Sequence, residues 1–206
     1  MHRLFAGCYP GQGSNQQLKI ITSKMYSRFI VLLVFISCNS LLFSQEKYLT
    51  RQGEVSFYSH TPVEDIKAEN KQVLSIVDLA SGEVAINILM KSFLFEKALM
   101  QEHFNENYVE SDKFPKATFT GKINNLAEVL SGDNHVAEVR GRLTIHGITK
   151  PVEIEAKANI EGDKVILKGK FMIAVADYDI KIPAIVRNNI AREVEVSFKL
   201  EHLPYN

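Results

Sequence analysis

Between Arg140 and Ile160 the chain reads RGRLTIHGITKPVEIEAKANI, a period of two on both sides of a short break. Gly141, Leu143 and Ile145 fall on one side, and Arg140, Arg142, Thr144 and His146 on the other. Past Gly147, Val152, Ile154, Ala156, Ala158 and Ile160 alternate with Glu153, Glu155, Lys157 and Asn159. Successive side chains of a strand point to opposite faces, so this pattern predicts two half-buried strands joined at His146-Gly147. Strands of this kind leave backbone donors and acceptors open unless their edges are paired or hidden. Their apolar faces must look either at a packed core or at a cavity.

The same period recurs along the chain. Gly53–Ser59 alternates until Pro62 stops it, and two runs flank Ser81-Gly82 as a hairpin. Val84, Ile86 and Ile88 share a face, and Phe93 and Phe95 continue the alternation. Further strands are predicted in FPKATFTGKI, HVAEVRGRLTIHG, DKVILKGKFMIAV and AREVEVSFKLEHL, with a turn at Gly162-Asp163. One stretch changes period. In FEKALMQEHFNENYV, Leu99, Met100, His103 and Phe104 recur at helical spacing, which predicts a single amphipathic helix from Glu96 to Asn107. The fold class is therefore mainly β: an antiparallel sheet that closes into a barrel or packs as a sandwich, with one short inserted helix.

The amino-terminal segment, residues 1–44, reads differently. Lys24 and Arg28 precede an unbroken apolar run, Phe29 to Ile36, and Ser44 is followed by the polar Gln45 and Glu46. A cationic start, a short apolar stretch and a small residue before a polar one is the layout of a secretory signal, with cleavage expected at Ser44-Gln45. The apolar run is short of the roughly 20 residues that span a bilayer, so no integral span is expected after cleavage. Residues 1–24 have no regular period, and Met25 is an alternative start. A lipoprotein box around Cys38 and an uncleaved anchor are the competing readings. The chain thus divides into an extension and signal, 1–44, and one domain, 45–206, expected to be periplasmic or secreted.

Both cysteines, Cys8 and Cys38, lie in the first segment, so the domain has no disulfide scaffold, thiol nucleophile or thiolate metal site. Beyond Ser44 there are 20 Lys and Arg against 24 Asp and Glu, a balance that lacks the basic footprint of a nucleic-acid partner. His60, His103, His135, His146 and His202 show no metal-ligand spacing. His146 reads as a hairpin residue with its ring bonded to a loop carbonyl. Asp177 and Asp179 flank Tyr178 and would share one side of an extended strand, but no cleft motif accompanies them. Arg140 and Arg142 fall on the outer face. No catalytic residue, metal site or cofactor is expected.

Three stretches together carry a family resemblance: QEHFNENYVESDKFPKATFTGKI (101–123), RGRLTIHGITKPVEIEA (140–156) and FMIAVADYDIKIPAIV (171–186). They resemble the YceI-like, polyisoprenoid-binding family of bacterial secreted proteins, over about Tyr48 to Leu203. The specific elements are Phe-Pro-x-x-x-Phe at 114–119 and the hairpin Leu143 to Val152. Tyr48 stands where the family usually opens with Trp, and the first third is compact. The resemblance implies an extended, lipocalin-like antiparallel barrel of about eight strands with a helix near one opening, holding an isoprenoid or other long-chain lipid, without enzymatic activity.

An eight-strand barrel is just wide enough to be filled by side chains or to hold one small ligand. Within that frame, inward aromatics (Phe57, Phe93, Phe95, Phe119, Phe171) suit an apolar chain lying among rings, and Gly141, Ala156 and Ala158 leave room for it. The helix stripe, Leu99, Met100 and Phe104, would close the mouth. These eight larger side chains are the candidate ligand-binding residues. The expected function is a secreted, non-enzymatic lipid-binding protein with an isoprenoid or similar lipid as partner and a homodimer as a possible assembly. The alternatives are an enzyme or stress-response component acting on a small molecule, and a filled-core interaction module.

Overall fold

The computed structural model describes residues 47–131 and 135–205. The expected signal, the alternative start and both cysteines lie outside the described residues. Nine strands follow in order: β1 (Lys47–His60), β2 (Asp65–Asp78), β3 (Glu83–Leu89), β4 (Leu94–Phe95), β5 (Lys116–Ile123), β6 (His135–Ile145), β7 (Ile148–Glu161), β8 (Lys164–Ala174) and β9 (Glu193–Pro204). The sheet order is β1-β9-β8-β7-β6-β5-β3-β2, and β2 pairs back onto β1, so eight antiparallel strands close into a barrel. Closure removes the edges that such regular strands would otherwise expose. The ninth strand, β4, pairs with β2 beyond the end of β3, Ala68 facing Phe95. The gap between β3 and β4 is spanned by buried Asn70, whose amide donates to the Leu89 carbonyl at 2.9 Å.

The β6–β7 hairpin follows the predicted register, Ile145 opposite Ile148 with Leu143, Gly141 and Val139 facing inward. Its two central residues, His146 and Gly147, have φ of 51° and 76°. Positive φ at both positions is the turn geometry whose twist matches the flanking strands. Arg140 and Arg142 are exposed on the outer face, and Arg140 pairs with Glu153 across the hairpin at 3.3 Å.

Antiparallel pairing fixes which connections share an end. The β1–β2 turn, residues 90–115, the β6–β7 turn and the long segment 175–192 meet at one end. The interior of the opposite end is filled by side chains. There Val73, Val77, Val165 and Leu200 are buried, and His202, fully enclosed, bridges the Val165 carbonyl (Nδ1, 3.0 Å) and the Ser75 hydroxyl (Nε2, 2.8 Å). A bulge in β1 around Gly53 turns the strand there, and a Cβ at Gly53 would stand 2.6 Å from Leu200 Cδ2.

Two expectations about helices are corrected. The predicted helix over Glu96–Asn107 is an α-helix, α1, only over Ala98–His103, and continues as a wider π turn over Phe104–Tyr108, closed by Val109 N–H to Phe104 O at 3.0 Å. A second helix, α2 (Leu126–Leu130), lies between β5 and β6 and buries Val129. Five residues are too few to display a helical period, so that element leaves no pattern to read. Asp177 does not sit in a strand: Val175–Tyr178 is a 3-10 turn, and Asp179 caps it in the left-handed region at φ 53°.

Candidate functional site

A cavity of about 270 Å³ opens at the helix end of the barrel. Strands β1, β2, β3, β5, β6, β8 and β9 send inward residues to it, including Val55, Ile66, Ile88, Ala117, Ile145, Ile173 and Val196. The segment 90–110 covers one side with Met90, Phe93, Phe95, Met100 and Phe104. Segment 175–192 covers another with Val175, Ile180, Ile182, Val186 and Ile190. Polar side chains in the lining are confined to Ser59, Glu64, His103, Tyr108 and Asn189. A wall this apolar recognises hydrocarbon and gives orientation only through the few polar groups among it.

Four rings form the aromatic part of the wall. Phe104, at the end of α1, contacts Phe57 of β1 (centroids 5.4 Å apart, planes 26° apart), Phe93 (5.7 Å) and Phe95 of β4 (5.0 Å). Phe57 also lies 5.5 Å from Phe93 and 5.6 Å from Phe95. Ring pairs at these separations and tilts are favourable by about 0.5–1.5 kcal/mol each beyond area burial. The cluster thus fixes the helix over the mouth while leaving ring surface toward the cavity.

Glu64, in the β1–β2 turn, is the hub of the rim. Its carboxylate accepts from Lys97 Nζ at 2.9 Å and from Asn189 Nδ2 at 3.1 Å. These donors hold its carboxyl below the usual carboxylate range, the Lys97 hydrogen bond first. One side chain thereby ties the start of α1 and the 175–192 segment to the same turn. Ala191 N–H adds a bond to Ser59 Oγ at 2.9 Å.

Deeper in the barrel lies a smaller chamber of about 70 Å³. It shares Val55, Ile88, Leu143, Phe171 and Val196 with the outer cavity and is completed by residues such as Phe119, Ala156 and Phe198. The room expected at Gly141 is already taken. A Cβ there would stand 2.5 Å from Phe119 Cζ, and one at Gly121 2.6 Å from the same atom. Gly169 accommodates Phe198 in the same way, at 2.6 Å. The glycines make space for the protein's own rings, and the larger cavity lies nearer the mouth.

His146 braces the loops below the helix. Nδ1 donates to the Tyr178 carbonyl at 2.9 Å, the loop carbonyl that the hairpin position predicts, and Nε2 lies 2.8 Å from the Glu110 carboxylate. That hydrogen bond is the main cause lowering the Glu110 pKa. The Phe114 ring meets the imidazole edge-on at 4.5 Å. Glu110, His146 and Asp179 are the non-glycine residues with positive φ among those described. All three sit at or beside this junction. Each such conformation costs on the order of 1–3 kcal/mol and persists where surrounding contacts over-determine it.

Of the eight candidate residues, Phe57, Phe93, Phe95, Met100 and Phe104 line the outer cavity, Phe171 lines both chambers, and Phe119 lines only the inner one. Leu99 is the departure: it points to solvent and touches neither chamber. With the helix starting at Ala98 and widening into a π turn at Phe104, its inward face runs through Met100 and Phe104 instead. Sequence reasoning missed the contribution of 175–192. Its apolar residues follow no period, but a connection this long inside a compact domain is itself a signal of function. Among the described residues no helix is long and apolar enough to cross a membrane.

The YceI-like domain model matches residues 48–202. A UPF0312 protein of Pseudomonas savastanoi is 28% identical over 132 residues, 59% of this chain and 65% of that one. A UPF0312 protein of Vibrio cholerae is 31% identical over 81 residues, 39% of this chain, and the match spans only about two fifths of its length. Among solved structures, a polyisoprenoid-binding domain from Saccharophagus degradans superposes with a TM-score of 0.69 at 15% identity, covering 79% of this chain and all of the other. Burkholderia cenocepacia BcnA gives 0.62 at 21% identity, covering 72% and 95%. At these identities the two structures share the fold.

Proposed function

This chain belongs to the YceI-like domain family, and from that premise we propose that it is a non-enzymatic carrier of a lipid, with an isoprenoid or similar long-chain amphiphile seated in the barrel. The observation that carries the reading is the open cavity at the helix end, walled almost wholly by aliphatic and aromatic side chains. The likeness to a polyisoprenoid-binding domain supports an isoprenoid as the class. Each methylene withdrawn from water contributes about 0.8 kcal/mol, so affinity comes from the chain, and the rim groups Glu64, His103 and Asn189 meet the polar head. At about 270 Å³ the cavity stands just below the roughly 300–1,000 Å³ usual for small-molecule sites. It takes one short chain or the leading part of a longer one.

Titration with isoprenoid alcohols of increasing length tests this. Affinity rises with each added unit until the outer cavity is full and then levels off; a flat response across all lengths contradicts a chain-binding barrel. The carrier is proposed to work outside the cytoplasm, on the strength of the cationic and apolar layout from Lys24 to Ser44. Amino-terminal sequencing of native material should begin near Gln45, whereas a chain retained in the cytoplasm and still beginning at Met1 or Met25 contradicts export.

A further inference from the structure

The four most exposed large hydrophobic residues described are Ile185 (91%), Leu94 (65%), Val63 (64%) and Leu99 (61%). They come from three segments, the β1–β2 turn (Val63), residues 90–115 (Leu94 and Leu99) and 175–192 (Ile185), all at the helix end of the barrel. Each is the immediate neighbour of a cavity-lining residue: Val186, Phe93 and Phe95, Glu64, and Met100 respectively. Within each pair one side chain faces the cavity and the next faces water. The Glu64 hub, bonded to Lys97 and Asn189, holds these three segments against one another. Apolar side chains standing out together around an opening mark a contact surface rather than scattered exposure.

Charge indicates what that surface meets. Segment 175–192 carries Lys181, Arg187 and Arg192 against Asp177 and Asp179, and both carboxylates precede Ile180, so the part around Ile185 has cations and no acidic residue. Neither arginine enters an ion pair among the described residues, and Lys181 is only 3.9 Å from exposed Asp179. An apolar tip flanked by cations, with the tip nearly fully exposed, is complementary to a bilayer with anionic headgroups: the apolar group enters the interface and the cations meet the phosphates. The helix side of the rim, residues 90–115, is acidic on balance, with Glu96, Glu102, Glu106, Glu110 and Asp112 against Lys91, Lys97 and Lys113. The two sides therefore differ in how closely they approach an anionic surface.

We propose that the open end of the barrel is a membrane-docking surface for anionic bilayers, tilted so that Ile185 inserts first and Leu99 lies shallower. The surface extends the carrier reading by giving the cavity a route to lipid without exposure to water. It rests on the rim itself, so it stands or falls separately from what the cavity holds.

The chain contains no tryptophan, so a single introduced indole reports its own position in the full chain. Ile185→Trp, Leu99→Trp and, at the opposite end of the barrel, Val136→Trp are mixed with vesicles of phosphatidylcholine and phosphatidylglycerol carrying brominated acyl chains. The proposal expects a blue shift and strong quenching at position 185, weaker quenching at 99 and none at 136. Arg187→Gln and Arg192→Gln, each in the Ile185→Trp background, weaken vesicle binding by about fivefold, as loss of one surface cation does, and high salt does the same. Equal quenching at 185 and 136, or an Ile185→Trp spectrum unchanged by vesicles, overturns it. A blue shift at 185 that grows with protein concentration in the absence of vesicles also overturns it, by making the rim a contact between two copies. Quenching at 185 in a protein that takes up no isoprenoid removes the carrier reading and leaves the docking surface. Uptake without quenching does the reverse.

Discussion

The ring of Phe104 lies over that of Phe57, centroids 5.4 Å apart and planes within 26° of parallel. This contact joins the end of α1 to the first strand of the barrel across 47 residues of chain. Because Phe93 and Phe95 touch the same ring, the mouth is lined and the helix held by one set of contacts. Phe104→Ala should therefore lower affinity for a long-chain isoprenoid by about tenfold, in line with the loss of one or more ring contacts. Unfolding measured on the same samples should change less, because Phe104 is only partly buried.

Phe119 predicts the opposite balance. It is buried in the inner wall, seated over Gly121 and Gly141. Phe119→Ala should cost about 3–5 kcal/mol of stability, the usual range for a buried phenylalanine. Urea unfolding reads this cost directly. A stability loss confined to a few tenths of a kcal/mol would show that the ring is not the support the glycines leave room for.

Gly147→Val is expected to lower the melting temperature clearly. The residue sits at φ 76°, and a Cβ there would stand 2.6 Å from Phe114 Cε1. Backbone strain alone costs about 1–3 kcal/mol. Bound lipid per folded molecule should be unchanged, since Gly147 touches neither chamber.

His202 predicts a pH dependence. Burial lowers its pKa, outweighing the opposite effect of its bond to the Val165 carbonyl. With the folded value below the unfolded one, the unfolded chain binds more protons between the two. Stability is therefore full above the ordinary histidine pKa of about 6.5 and falls as pH drops below it, by at most about 1.4 kcal/mol per pH unit for one proton. The paired carboxylates Glu64, Glu69, Glu110 and Glu201 have lowered pKa values. Their contributions are present above the ordinary glutamate value and are lost only at lower pH. Urea unfolding between pH 7.5 and 5 keeps the histidines apart from these carboxylates, and a profile over that window that is the same in the protein and in His202→Asn contradicts a buried His202 with a lowered pKa.

His146→Ala should loosen the junction beneath the helix. Hydrogen exchange is expected to rise in 104–115 and in 175–180, the two segments that the imidazole joins. Exchange in β8 and β9 at the far end should not change.

What could be read in the sequence follows the strength of local patterns. The β6–β7 hairpin was legible because eleven paired positions alternate on both sides of a turn that needs a glycine. The aromatic wall was legible because Phe57, Phe93, Phe95 and Phe104 stand on inward faces. The helix ends were not, since Lys97 supplies no side-chain cap and the π turn after His103 has its own spacing. The role of Gly141 was misread: period alone assigns a small residue to the inward face but not the ring that crosses over it. The segment 175–192 builds its part of the cavity from 3-10 turns and loop, where no periodicity exists to reveal which side chains point in.

The carrier reading requires the cavity at the helix end to hold an apolar chain. Organic extraction of the purified protein followed by mass spectrometry tests it most directly. A long-chain apolar molecule close to one per protein is expected, lost or sharply reduced in Phe104→Ala. Clean extracts from several expression hosts, with no lipid taken up on titration, would contradict it and make the barrel a filled scaffold.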